Sequence, residues 1–434
     1  MYTLTTNKKL RLATLCILYF AQGFPWGFML TALISFLASK GLTMVESGQL
    51  AAMAYLPWTF KLFWGPLIDS FGFRAMGRRR PWIIFAQIGM LLTLLMMCLI
   101  GDLLNNLYLL GWMFFLHNCF ASLQDVSTDA LAVDILKPEE QGTFNGSMWG
   151  AKVIGTGFGA VVMGTVLSSH GLIFAILSQA FIMGLIILFP LFIKERENEK
   201  RFPWSGNQVK VEKESNVRNP LIILKDLLKA FSMKPAFFAG LFILFSAVNQ
   251  GVNSAILPVF YTNTLGWDPA TYSQISGGPG AFLEFLGAIL GGVLADKYGR
   301  RRIFFMGWGS FSILSGLFGV SILGYEQVPY WIQLSYLIVY PAFIAIGTVA
   351  MFSLAMALSW SKASATMFTS YMAISNLSVV LGTKLIGPLT KYFTTGNIYI
   401  LMMFFCLLPV FLLKHMNPES VSYTHLTLPT TPYV

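Results

Sequence analysis

Gly292-Val293-Leu294-Ala295-Asp296-Lys297-Tyr298-Gly299-Arg300-Arg301-Arg302 closes one long apolar run and opens the next. A second copy stands 227 residues earlier: Gly65-Pro66-Leu67-Ile68-Asp69, followed by Gly77-Arg78-Arg79-Arg80. The earlier copy carries five more residues between its Asp and the Gly of its basic cluster. Gln22-Gly23 and Gln250-Gly251 recur at nearly the same offset, 228. Landmarks that return in the same order at one spacing indicate two parallel structural repeats.

The stretches around these landmarks define the repeats. Of 434 residues, 56% are hydrophobic and only 11% charged, against about 45–50% and 25% in soluble domains. Water cannot be the only solvent of such a chain. Apolar runs cover 10–38, 46–66, 82–101, 107–136, 142–168, 171–193, 235–263, 269–295, 303–323, 329–358, 363–390 and 396–414. Each suits a helix of about 20 apolar residues crossing a bilayer. The predicted fold is therefore all-α, with twelve transmembrane helices in two six-helix halves, 1–193 and 235–415. Residues 194–234 read as a polar linker ending in a short amphipathic surface helix around Leu221 to Phe231. The Thr-rich stretch 416–434 has no helical period; it reads as a disordered tail or a sequence scar. The first apolar run exceeds 20 residues and has no small-residue cleavage site, so it should stay as a span.

Alternate loops differ sharply in charge. If the N-terminus is cytoplasmic, 24 of the 29 Lys and Arg fall on the cytoplasmic side and two, Lys40 and Lys391, on the other. The positive-inside rule then puts both termini in the cytoplasm, with the protein spanning the inner (plasma) membrane many times. The net charge of +10 follows those loops rather than one folded face, so no nucleic-acid partner is expected. Cys16, Cys98, Cys119 and Cys406 lie in apolar stretches without a CxxC pair, which suggests neither disulfide nor metal site. A phosphate-binding GxxxxGK(S/T) loop, GxSxG and HExxH are all missing, which disfavours a primary pump and an enzyme. No cofactor is expected. The reading is a secondary transporter, with a membrane sensor or integral-membrane enzyme without transport as the alternative that solute accumulation in liposomes would separate.

An ionisable group among lipid tails costs at least about 2.5–3.5 kcal/mol, so each is paired or functional. Asp125 and Asp129 lie roughly 40° apart on a helical wheel and share a face with Ser122, whereas Asp134 lies roughly opposite Asp125. Two carboxylates one turn apart repel unless a cation intervenes, and such a pair can carry a proton. The alternative is a permanent structural ion pair with Lys61 or Lys152. Those two lysines are also the candidates for holding an anionic substrate group. Glu284, after Gly277-Gly278-Pro279-Gly280, is a second coupling candidate or a buried hydrogen-bonded acid. Gln22, Asn249, Gln250 and Asn253 would offer hydrogen bonds to a substrate rich in hydroxyls or amides, or simply tie helices together. Lys384 could snorkel, and His117 reads as packed. Gly155-xxx-Gly159 and Gly287-xxx-Gly291 suit close helix packing rather than nucleotide binding.

Gly292 to Arg301 matches the loop G-x-L-x-D-(R/K)-x-G-R-(R/K) of the major facilitator superfamily, which the chain resembles. Its first 160 residues or so are similar to the muropeptide permease (AmpG) and acetyl-CoA transporter family. Tyr19-Phe20-Ala21-Gln22-Gly23-Phe24-Pro25, Phe60 to Asp69, Gly77 to Trp82, Gln124-Asp125 and Asp129-Ala130 carry that likeness. The resemblance implies a monomeric, proton-coupled importer working by alternating access, with muropeptide or another sugar- or nucleotide-linked solute as substrate. It also implies that Asp69, Arg78, Arg79, Asp134, Asp296, Arg300 and Arg301 act as gating elements. Asp69 or Asp296 would cap a neighbouring helix N-terminus, the arginines would pair with acids at span ends, and Asp134 would pair with the arginines of loop 67–81.

Overall fold

The computed structural model describes residues 3–70, 76–137, 140–197, 199–200, 202, 231–358, 364–408 and 411–412, with backbone alone at 69–70, 141–142, 357–358 and 364–366. The surface helix expected around Leu221, the tail and the Asp69 carboxylate fall outside the described parts. Each apolar run folds into one helical rod. These are α1 (Lys8–Ala38), α2 (Met44–Thr59 continued by Lys61–Ser70), α3 (Arg80–Met97), α4 (Leu107–Ile135), α5 (Gln141–His170) and α6 (Leu172–Phe192) in the first half. The second half holds α7 (Lys234–Thr264), α8 (Pro269–Tyr298), α9 (Arg300–Gly324), α10 (Tyr330–Leu358), α11 (Ser364–Tyr392) and α12 (Thr395–Leu407). Among the described residues, nine of the twelve are by length and composition apolar enough to cross a membrane. The others are α2, broken at Phe60, α4, which carries three aspartates, and α12, 13 residues long.

Polar residues mark where rods begin. Asn7, Thr43, Asp268 and Thr394 each accept a main-chain N–H from the first turn that follows, and Thr43 with Glu46 completes a reciprocal capping box. Prolines shape the interiors by withdrawing a donor from the helical ladder. Pro25 precedes a π-helical stretch at Phe28–Leu33 in α1, and Pro258 precedes one at Phe260–Thr264 in the corresponding helix α7. Pro57 lies three residues before the break in α2, which sets Lys61 at the start of a new helical segment.

Burial is arranged as a bilayer requires. Phe181 is 67% exposed and Phe404 63%, while Gln22, Asn249 and Asp125 are 2%, 0% and 3% exposed. Glycines allow the closest helix contacts. A side chain at Gly23 or Gly27 would strike the main-chain carbonyls of Lys152 and Thr156 in α5, and one at Gly155 or Gly159 would strike those of Phe20 and Phe24 in α1. In the second half, Gly251 of α7 lies against the Val379 carbonyl of α11, and Gly382 lies against that of Val248. The α1–α5 and α7–α11 pairs are thus the same joint built twice. Gly287 and Gly291 likewise pack on the backbone of Ala342 and Ile346 in α10.

Hydrogen bonds tie the two halves together. Near the end opposite the arginine loops, Gln274 Nε2 donates to Thr165 Oγ1 at 3.1 Å, Asn263 Nδ2 to the Leu42 carbonyl at 3.4 Å, and Ser35 Oγ meets Ser273 Oγ at 3.3 Å. At the arginine end, the ion pairs between described residues each join elements of one half.

Candidate functional site

The kink in α2 brings Lys61 against α4. Its ammonium forms an ion pair with Asp125 and stands 3.6 Å from Asp129 Oδ2. The Tyr19 hydroxyl of α1 donates to the other oxygen of Asp129. Three helices therefore meet at one acid pair. Lys61 and Asp125 are buried, but the Asp129 side chain is 42% exposed, so one carboxylate of the pair is reachable from outside the cluster. Ser122, on the same face of α4, accepts from Trp64 Nε1 at 2.8 Å.

Lys152 is placed differently. Its ammonium lies 4.8 Å from the centre of the Trp58 ring and 5.4 Å from that of Trp149, and among the described residues no carboxylate comes within 4.0 Å of it. Asp125, Asp129 and, from the other half, Glu284 are near enough to act on it electrostatically. A cation–π contact contributes about 0.5–2 kcal/mol, less than the several kcal/mol that removing an ammonium from water costs. Lys152 is half-buried, and among the described residues its charge is met by aromatic rings and by acids at a distance rather than by a direct ion pair. Of the two alternatives open in the sequence, pairing with the acids belongs to Lys61.

The neutral candidates fall into two groups. Among the described residues, both side-chain polar atoms of Gln22 and of Asn249 are buried without a hydrogen-bond partner, as is Asn253 Nδ2. Asn253 Oδ1 accepts from Tyr336 at 2.9 Å; Gln250 is half-buried, and its carbonyl accepts from Ser254. His117 is packed, with Nδ1 3.0 Å from Thr93 Oγ1. Lys384 is exposed. Among the described residues, no three His, Cys, Asp or Glu side chains gather as metal ligands, and the four cysteines are free thiols.

At the arginine end, Arg79 Nε donates to Asp134 Oδ2 at 2.9 Å. Arg78 is exposed, as are Asp296, Arg300 and Arg301. At α9 itself the chain turns at Gly299, with a φ of +96°, and no side chain caps the helix. Arg80 also serves the main chain. Its guanidinium donates to the carbonyls of Pro190 at 2.6 Å and Leu191 at 3.0 Å, filling the open acceptors at the end of α6. Two further links went unread in the sequence. Arg11 Nη2 donates to Glu140 at 2.7 Å, joined by Lys8 at 3.4 Å. Glu195, in a linker expected to be flexible from its start, is buried and accepts the main-chain N–H groups of Arg79 and Arg80 at 3.0 and 2.5 Å. Gly77, at φ +103°, leaves the room that the Glu195 carboxylate occupies.

Burial, reinforced by the nearby Glu199 charge, pushes the Glu195 carboxyl up to about 7 from 4.5, against the pull of the N–H donors. A carboxyl raised in the folded state adds stability below its unfolded value, and that stability is lost as pH rises through about 7. Melting in detergent should therefore show a drop between pH 5 and 8 that Glu195→Gln flattens. Parallel pH curves for the two proteins would exclude this role.

Comparison with known proteins extends the resemblance. Residues 15–383, and again 239–428, match the sequence profile of the Major Facilitator Superfamily. The putative transporter AmpG 4 of Rickettsia conorii (strain ATCC VR-613 / Malish 7) is 25% identical over 305 residues, 68% of this chain and 70% of that one. The anhydromuropeptide permease of Escherichia coli (strain K12) is 24% identical over 404 residues, 89% of this chain and 75% of that one. Among solved structures, the nucleoside transporter NupG superposes with a TM-score of 0.69 at 14% identity, covering 93% and 98% of the two chains. The D-xylose-proton symporter superposes with 0.68 at 13%, covering 95% and 98%. These two show the fold alone. The relatives are permeases and transporters, and this chain is a multi-pass membrane transporter of small solutes rather than an enzyme. By the profile match and the doubled six-helix architecture, it belongs to the Major Facilitator Superfamily.

Proposed function

We propose that the chain is a proton-coupled importer of the inner (plasma) membrane, working as a monomer with both termini in the cytoplasm. Its cargo is a muropeptide or another sugar- or nucleotide-linked solute. The carrying observation is the Lys61–Asp125–Asp129–Tyr19 cluster, in which one acid is buried against the lysine and the other stays reachable. Asp125 with Lys61 fixes a charge, and Asp129 takes and releases the proton. Glu284 is the coupling acid of the other half, whose charge reaches Lys152. Gln22, Asn249, Gln250 and Asn253 serve hydroxyls and amides of the solute, because buried amides without partners favour a ligand that supplies them. The hydrogen bonds that join the halves at the end opposite the arginine loops support rocking about a midplane site. Arg78 and Arg79 with Asp134, and Asp69 and Asp296 with Arg300 and Arg301, steady the cytoplasmic ends during that motion. The names of the relatives support the cargo class, and the 24-to-2 charge asymmetry supports the orientation.

Purified protein in liposomes tests this reading. An acid-outside gradient should drive accumulation of anhydromuropeptide, and a protonophore should collapse it to equilibration. Accumulation that ignores the gradient would remove proton coupling. Uptake of nucleosides in place of anhydromuropeptide would replace the cargo.

A further inference from the structure

We propose that Lys152, with Trp58 and Trp149, forms the subsite for a carboxylate on the transported solute, and that Glu284 of the opposite half competes with that carboxylate for the lysine. This deepens the transport reading and rests on it. The argument begins with the lysine's neighbours. From α4, Asp125 and Asp129 act on Lys152 at a distance but are engaged with Lys61 and Tyr19. Lys61 from α2 repels it. From α8, Glu284 acts on it across the interface between halves without an ion pair. Lys152 is therefore a cation with three acids in reach and none in contact. An acid group arriving from solution can take the place next to it.

The surroundings are built to hold that place. Trp58 Nε1 donates to Asn118 Oδ1 at 3.1 Å, which locks the indole and keeps its face toward the ammonium. Trp26 meets Trp58 edge-on, with ring centres 5.9 Å apart, and meets Tyr55 at 4.7 Å. Tyr55 in turn lies within the field of Glu284. Trp149 is half-buried and contacts Phe352 of the other half at 6.5 Å between ring centres, and the adjacent Gly150 leaves room for Phe285. The lysine thus stands at the seam where the halves must part. Aromatic faces beside a cation suit a sugar that bears an acid, its C–H face packing on the indoles and its carboxylate meeting the ammonium. When such an acid binds Lys152, Glu284 loses its claim on the lysine, so arrival of the solute changes an interaction between the halves.

The test compares N-acetylmuramic acid with N-acetylglucosamine, the same ring without the lactyl carboxylate. Binding is read from tryptophan fluorescence of the purified protein, independently of flux. The acid should bind about tenfold or more tightly than the neutral sugar. Lys152→Gln should erase the difference, and Lys152→Arg should keep part of it. Glu284→Gln should strengthen binding of the acid severalfold and leave the neutral sugar unchanged, a gain that a folding defect cannot mimic. Equal binding of both sugars to the wild type, discrimination that survives in Lys152→Gln, or weaker acid binding in Glu284→Gln would each overturn the subsite. Flux in liposomes is scored separately: binding as described without accumulation would reject the transport reading and leave the subsite standing.

Discussion

Asp129→Asn is expected to abolish gradient-driven accumulation, by at least about tenfold in the steady-state ratio, while exchange of solute across the same membrane stays within about twofold. Asparagine keeps an acceptor for the Tyr19 hydroxyl, and Lys61 retains its contact with Asp125. What it cannot do is bind and release a proton. Exchange requires only the conformational cycle, so losing the proton site should spare it. Asp125→Asn differs, because it leaves a buried ammonium facing only Asp129 at 3.6 Å. Breaking a buried pair by removing one partner costs about 3–5 kcal/mol. The amount of folded protein should fall with it, and exchange and accumulation should decline together. Measuring both fluxes and the monodisperse yield for the two variants separates carrier from scaffold. If Asp129→Asn also loses exchange in proportion to yield, the cluster is structural and the proton travels elsewhere.

That division of labour was only half legible in the sequence. Charges are rare inside spans, so Lys61, Asp125 and Asp129 announced themselves, and the helical wheel put both acids on one face. Their partner Tyr19 stood in a stretch that carries the family likeness, but nothing there pointed to Asp129, since a tyrosine in an apolar run is as consistent with packing. The kink at Phe60 that aims Lys61 was equally silent: Pro57 marks a disturbance, but not its direction. Span positions fared better, because the apolar runs stand out against the polar residues of the loops between them. The run expected at 10–38 is α1 at Lys8–Ala38, and that expected at 269–295 is α8 at Pro269–Tyr298. The arginine loops show the opposite limit. Arg79 finds Asp134, as charge pairing suggests, whereas Arg80 answers the carbonyls that close α6 and Glu195 answers the N–H groups that open α3. Main-chain acceptors and donors leave no trace in a residue pattern.

The helix joints carry the second large expected effect. Gly251→Leu should nearly eliminate folded, monodisperse protein after extraction, with Gly251→Ala falling between it and wild type. Without a hydrophobic drive between spans, helices in lipid associate through close backbone contact at small residues. Gly251 packs on the Val379 carbonyl, and Gly382 of α11 returns the contact on Val248 and on Gly251 itself. The neighbouring atoms are backbone, so no rotamer change can make room. Overpacking typically costs about 1–3 kcal/mol and more where the backbone must move. The repeat sharpens the expectation, because Gly23 meets the Lys152 carbonyl in the first half as Gly251 meets Val379 in the second. Gly23→Leu should therefore lose folded protein to a similar degree. Gly65→Leu, in α2 with open space around it, should not, although it lies in a conspicuous sequence landmark. Yields measured by size-exclusion chromatography across these variants decide the matter: normal recovery of Gly251→Leu would mean that the α7–α11 joint does not hold the second half together.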